Sequence, residues 1–327
     1  MKSFFRLAAI AALTTIFSCK KEQSTTPTID PPSTACTATI YGFHINNYIG
    51  ATSGAISSFD PATGVATTIG NVSANVYGSG GSIDISNGIY YLTADSPSYF
   101  PRLYKVPMAG GIPTVYTYPD NLIGIAGYNN YTHQLMGVKR GSTDSLAVIT
   151  LGSGTFSYNC IAALPGGLTI GFSIDNATGT AFYNSFDMTT SMCSIGRISP
   201  GASAGTLLVS GIPGAIRGMC HNSNDNKLYY RYWDGDTATI TTRLVSIPAT
   251  GGTPTVVATM HEKMNGDFQT SCIDACHNRY IIATMAYDSA TTSYIEDSST
   301  VYQYNMSGTL VQRYNIPGVY GGIAVKY

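Results

Sequence analysis

Charge is scarce in this chain. Only 11% of the 327 residues are Asp, Glu, Lys or Arg, and the formal net charge is −1. No basic cluster or tail is present to neutralise phosphates, so nucleic acid is not an expected partner. Long apolar runs are also missing: the longest, from Leu7 to Phe17, is about eleven residues, against the roughly 20 that a spanning helix needs. Absent too are Gly-x-Ser-x-Gly, His-Glu-x-x-His, a phosphate loop and a dinucleotide fingerprint. No cofactor and no metal is therefore predicted. An enzyme built from dispersed residues stays open, but a motif-bearing one does not. What the chain has in quantity is 35 Gly and 24 Tyr, with much Thr, Ser, Val and Ile. That mixture favours strands joined by tight turns.

The N-terminus reads in three steps. Lys2 and Arg6 make a short basic region, the run Leu7–Phe17 has the length of a secretory signal core, and Ser18-Cys19 follows. Ile16-Phe17-Ser18-Cys19 resembles the lipobox of bacterial lipoproteins. The resemblance implies that the signal, residues 1–18, is removed and that the Cys19 thiol carries lipid. Lys20-Lys21-Glu22 comes next, then a Ser/Thr/Pro stretch from Gln23 to Ser33. Such a composition buries no core and favours a solvated, extended chain, so residues 19–35 read as a tether. The Ser-Cys-Lys-Lys-Glu junction is similar to that of Gram-negative lipoproteins sent to the outer membrane. It implies an exported, membrane-anchored protein facing the periplasm or the cell surface.

The stretch 36–327 repeats itself, and the repeat decides the fold expectation. One unit opens with a Gly and a short apolar strand: Gly81–Asp84, Gly124–Ala126, Gly171–Asp175, Gly218–Cys220, Ser271–Asp274 and Gly322–Val325. A Tyr-rich second strand follows, as in Gly88–Leu92 and Lys227–Tyr230, and then a third strand ending in a Gly turn, as in Leu103–Gly111 and Leu244–Gly252. A fourth closes the unit. Four strands at a period of roughly 42 to 54 residues predict an all-β propeller. The count is six, with a seventh unit possible only inside Tyr287–Ser299. The two ends complement each other. Ala38–Phe43 aligns with second strands and lacks a first, while Gly321–Tyr327 is a first strand with nothing after it. The ring closes if the C-terminal strand joins the N-terminal blade, which also pairs otherwise open edges. This pattern resembles NHL-like, lactonase-like and TolB-like propellers in general and matches no single enzyme family. The tyrosines recur at repeat positions, so they are expected to pack between blades with their hydroxyls reaching polar partners.

Beyond Cys19 six cysteines remain: Cys36, Cys160, Cys193, Cys220, Cys272 and Cys276. Export permits disulfides, and spacing alone does not choose among pairings. A local Cys272–Cys276 bridge and free buried thiols both stand open. Cys220-His221-Asn222 and Cys276-His277-Asn278 suggest zinc at first sight. Adjacent strand residues point to opposite faces, so one Cys-His pair does not chelate one ion.

First strands line a propeller's channel, which makes Asp84, Asp175, His221 and Asp274 the candidate channel-facing polar residues. Converging carboxylates there would hold Ca²⁺ or act as acid and base. Calcium-dependent six-bladed lactonases use their mouth in this way, but their full acidic and amide ligand set has no counterpart in this chain. The competing expectation is that each Asp caps its following turn. Asp144-Ser145-Leu146, Asp236-Thr237-Ala238 and Asp288-Ser289-Ala290 resemble the acceptor of bacterial O-glycosylation, giving Ser145, Thr237 and Ser289 as candidate sites. The functional expectation is a binding or scaffolding propeller for a glycan or an envelope protein. The alternative is a channel-mouth lactonase, lyase or hydrolase acting on a sugar-like substrate.

Overall fold

The computed structural model describes residues 36–45, 54–72, 77–95, 101–118, 122–233, 242–260, 271–288, 290–291 and 293–327. Cys19, Thr237 and Ser289 lie outside them. Twenty-four strands and no helix are found among the described residues. The chain opens with β1 (Thr39–Ile45), β2 (Gly54–Phe59) and β3 (Ala66–Val72). The second blade is β4 (Tyr77–Asp84), β5 (Ile89–Asp95), β6 (Pro101–Pro107) and β7 (Thr114–Thr117). The third is β8 (Leu122–Asn129), β9 (Gln134–Lys139), β10 (Asp144–Leu151) and β11 (Phe156–Leu164). The fourth is β12 (Leu168–Ile174), β13 (Ala181–Asp187), β14 (Met192–Ile198) and β15 (Thr206–Pro213). The fifth is β16 (Ala215–Asn222), β17 (Lys227–Trp233), β18 (Thr242–Pro248) and β19 (Thr255–Met260). The sixth is β20 (Ser271–Asp274), β21 (Arg279–Asp288), β22 (Ser293–Asn305) and β23 (Leu310–Pro317), after which only β24 (Val319–Lys326) remains.

These form six four-stranded antiparallel sheets, and the chain is a six-bladed β-propeller. The last strand supplies the missing inner strand of the first blade, whose order is β24-β1-β2-β3. Their register runs from Thr39↔Lys326 to Ile45↔Val319. The stretch Tyr287–Ser299 holds no seventh blade. It is the far end of the long β21–β22 hairpin, which continues to Asp288↔Ser293, past the ends of its neighbours' pairing.

One hydrophobic cluster fills each junction between blades. Tyr90, Leu92 and Tyr104 of the second blade meet Tyr41, Phe43 and Ile56 of the first. On its other side, Tyr91, Leu103 and Tyr116 meet Tyr128, Leu135 and Ile149 of the third. A blade is thus sandwiched between two neighbours, and its middle strands are buried on both faces. Leu228, Tyr229 and Tyr230 are successive residues, each at most 1% exposed. Alternation persists there as a change of face: Leu228 and Tyr230 pack toward the fourth blade and Tyr229 toward the sixth, as Tyr104 and Val106 share a face that the less buried Lys105 does not. Burying each such side chain contributes roughly 1.5–3 kcal/mol.

Two tyrosines show how the packing is keyed. The Tyr90 hydroxyl donates to the Gly322 carbonyl of the preceding blade at 2.5 Å, and Tyr280 does the same to Gly218 at 2.6 Å. The first of these contacts requires close backbone approach. A Cβ placed on Gly81 would lie 1.6 Å from the Gly322 carbonyl oxygen and 2.8 Å from the Tyr90 hydroxyl. Gly81→Ala is therefore expected to push the first two blades apart and to cost about 3 kcal/mol, the upper end for overpacking. A urea midpoint indistinguishable from wild type would show that the approach is not as close as described.

Candidate functional site

The inner strands β4, β8, β12, β16, β20 and β24 surround the channel, and one turn design ends five of them. The last or next residue is Asp84, Asn129, Asp175, Asn222 or Asp274. Four positions later stands a residue with left-handed backbone: Gly88 (φ 62°), His133 (φ 55°), Gly179 (φ 74°), Asn226 (φ 53°) or Asn278 (φ 53°). Gly and Asn tolerate that conformation at least cost. The side-chain oxygen of the first residue accepts backbone N–H groups inside the turn, which holds the bend.

The three candidate carboxylates are used in this way. Asp84 is 2% exposed. It accepts the Asn87 N–H at 3.0 Å on one oxygen and the Asn87 side-chain amide at 2.7 Å on the other. Asp175 accepts the Ala177 N–H at 3.0 Å and the Thr178 hydroxyl at 2.6 Å. Asp274 accepts the His277 N–H at 3.2 Å, with its second oxygen 2.6 Å from His277 Nδ1. These residues belong to alternate blades, and each serves its own turn. Asn129 and Asn222 do the same with amides, bonding Tyr131 and Thr132 at 3.1 Å and Asn224 at 3.2 Å. Reasoning from carboxylates alone passes over both asparagines. The available signal is the constant spacing to the second strand, visible in the pairs Asp84↔Ile89, Asn129↔Gln134, Asn222↔Lys227 and Asp274↔Arg279.

The residues just past these caps, Ile85, Asn130, Asn176, Ser223 and Ala275, rim the channel mouth together with Tyr327, which follows β24. Several clasp a neighbouring blade. Asn130 accepts the Ile85 N–H and donates to the Ile83 carbonyl, both at 2.9 Å. Its own N–H donates to Asn176 at 3.0 Å. The last residue, Tyr327, repeats the Asn130 clasp at the closing seam with one hydroxyl, which accepts the Ala275 N–H at 2.7 Å and donates to the Ile273 carbonyl. No sequence signal marks it.

Behind the rim lies a cavity of about 350 Å³. Of the four candidates, Asp175 and His221 line it, whereas Asp84 and Asp274 stay inside their turns. His221 stacks on Phe182 with centroids 5.1 Å apart. Its Nε2 is 3.1 Å from Asn226 Oδ1, and its Nδ1 is 3.8 Å from Asp175. Tyr128 also faces this space. Its phenol is pushed up to about 12, first by burial and then by the Asp84 carboxylate.

A disulfide joins Cys36, just before β1, to Cys276 in the turn after β20, with Cα atoms 5.8 Å apart. The local Cys272–Cys276 bridge is thus corrected: Cys276 crosses the closing seam instead. Cys193, Cys220 and Cys272 are buried free thiols. Burial pushes all three upward, Cys220 to about 12, so they act as small apolar residues. The two Cys-His-Asn triplets meet through their asparagines, Asn222 donating to Asn278 at 3.1 Å. Among the described residues no three His, Cys, Asp or Glu side chains cluster. Ser145 lies half-buried on β10 beside Asp144, which pairs with Arg140 at 2.6 Å and accepts the Thr169 N–H at 2.7 Å.

No protein-family model matches the chain, and no curated protein matches it. Solved structures do. A chain of a nidogen/laminin complex aligns with a TM-score of 0.62 at 12% identity, over 88% of this chain and 98% of that one. A TolB-like protein from Agrobacterium tumefaciens aligns at 0.57 and 11%, over 87% and 91%. An oligogalacturonate lyase in complex with manganese aligns at 0.51 and 10%, over 84% and 74%. At these identities the likeness is one of fold.

Proposed function

We propose that this chain is an exported, lipid-anchored propeller that holds a glycan or another envelope protein rather than transforming it. The observation that carries the reading is the use made of the carboxylates. Asp84, Asp175 and Asp274 each accept bonds from their own turns on both oxygens, a use that holds the mouth in shape. A rigid ring with side-chain clasps at its mouth suits presentation of a fixed surface. One structural neighbour is seen in a protein complex with laminin, which accords with a binding role. The lyase neighbour motivates the rival, a channel-mouth enzyme on a sugar-like substrate.

Two measurements test the reading. Cys19→Ala is expected to leave the propeller folded and to move it from the membrane fraction to the soluble one. Retention in membranes after a high-salt wash would remove the lipid anchor from the proposal. The same soluble variant, incubated with envelope polysaccharide, is expected to retain saccharide or a partner protein without creating new ends. Appearance of new reducing ends or unsaturated sugars would favour the enzyme instead.

A further inference from the structure

We propose that the cavity behind the mouth is a binding site for one uncharged, hydroxyl-rich ring, a neutral sugar unit. The inference rests on the binding reading above and gives that reading a location and a ligand class. Its volume, about 350 Å³, sits at the small end of the roughly 300–1,000 Å³ typical of small-molecule sites. That suits a single ring with its water.

The lining dictates the rest. No Lys, Arg or Glu is among the described residues that surround the cavity, and the sole side-chain carboxylate is Asp175. An anionic sugar would find no lysine or arginine to pair with there. A cation would have to compete with the Ala177 and Thr178 bonds that already hold both Asp175 oxygens. What the walls do offer is hydrogen-bonding capacity left over from the fold. Ser82 accepts the Tyr128 N–H at 2.6 Å and Ser173 accepts the His221 N–H at 2.9 Å. A hydroxyl that accepts in this way keeps its proton to donate. The two serines belong to the second and fourth blades.

Ser271, on the sixth blade, also lines the cavity, but its hydroxyl is sealed from that space and turns to the Tyr280 phenol. The serines of the second and fourth blades, Ser82 and Ser173, therefore supply the donors. At the rim, Asn176 spends its oxygen on the Asn130 N–H and keeps its amide protons. Tyr327, 46% exposed, offers a ring face, while Ile85 and Val325 supply apolar contact for the C–H face of a sugar.

The test uses the full chain carrying Cys19→Ala, with galactose, N-acetylglucosamine and galacturonate as probes in saturation-transfer NMR and calorimetry. At least one neutral sugar is expected to bind, with galacturonate at least about tenfold weaker. Ser223→Trp, at an exposed rim position, should abolish binding while leaving the melting transition intact. Ser173→Ala should weaken binding several-fold and serves as the second variant if the tryptophan disturbs the fold. Failure of both neutral sugars to bind overturns the proposal. So does equal binding of galacturonate, or undiminished binding in a folded Ser223→Trp or Ser173→Ala variant. Any of those results leaves the broader binding reading standing if a protein partner is held by another face.

Discussion

Replacing Cys36 and Cys276 with serine is expected to lower the unfolding free energy by about 5 kcal/mol. The bond spans a sequence separation of 240, so it restrains nearly the whole ring in the unfolded state. On the chain-entropy account a loop of that length contributes about 5 kcal/mol at 25 °C. Domains of this kind have stabilities of roughly 5–15 kcal/mol, which makes the loss a large part of the total. The native ring itself need not open, since β24 still pairs with β1 and Tyr327 still clasps Ala275 and Ile273. The double variant should therefore give native near-ultraviolet dichroism but a much lower urea midpoint. Reduced wild type should match it. A change below about 1 kcal/mol would mean that the seam is already constrained in the unfolded chain.

Removing residues 319–327 is expected to have a still larger effect, the loss of cooperative folding. The deletion takes away the inner strand of the first blade and leaves the inner edge of β1 unpaired. It also removes Tyr320, Ile323 and Val319 from the core, each at most 6% exposed. At roughly 1.5–3 kcal/mol for each buried side chain, those three alone contribute about 6 kcal/mol before any ladder bond is counted. The truncated chain should show no sharp thermal transition and rapid proteolysis. Adding a peptide of sequence 319–327 in trans should restore both in part. A truncated monomer with a wild-type transition would show that five and three-quarter blades are self-sufficient.

How far the fold was legible can be traced to particular residues. The Gly-apolar-Asp openings at Gly81–Asp84 and Gly171–Asp175 recur because each inner strand must both approach its neighbour closely and end in a capped turn. The half-units at Ala38–Phe43 and Gly321–Tyr327 disclosed the closure because a ring cannot end on an unpaired strand. The site was less legible. A place at the end of an inner strand makes Asp84 and Asp274 channel-facing candidates, but it does not say whether the last side chain turns to the axis or folds back into the turn. The neighbouring backbone N–H groups decide that, and they are invisible in composition. Asn129 and Asn222 hold the same position without charge. Cys36 found Cys276 only through ring closure, a contact between the two ends of the domain that spacing does not encode. The cavity serines were hidden by their ordinariness: Ser82, Ser173 and Ser271 become distinctive only when six strands meet.

The joint of Cys36 to Cys276 also has a mechanical meaning. Any tension on the chain N-terminal to Cys36 would, without that joint, enter at the end of β1. There it could peel the strand away from β24 and β2 one backbone bond at a time. With the joint in place the force passes into the turn after β20, on the neighbouring blade, which Tyr327 grips from the other side. Tension is then shared by two blades. A lipid anchor of the kind proposed would thus load the closing seam, where two blades share the force.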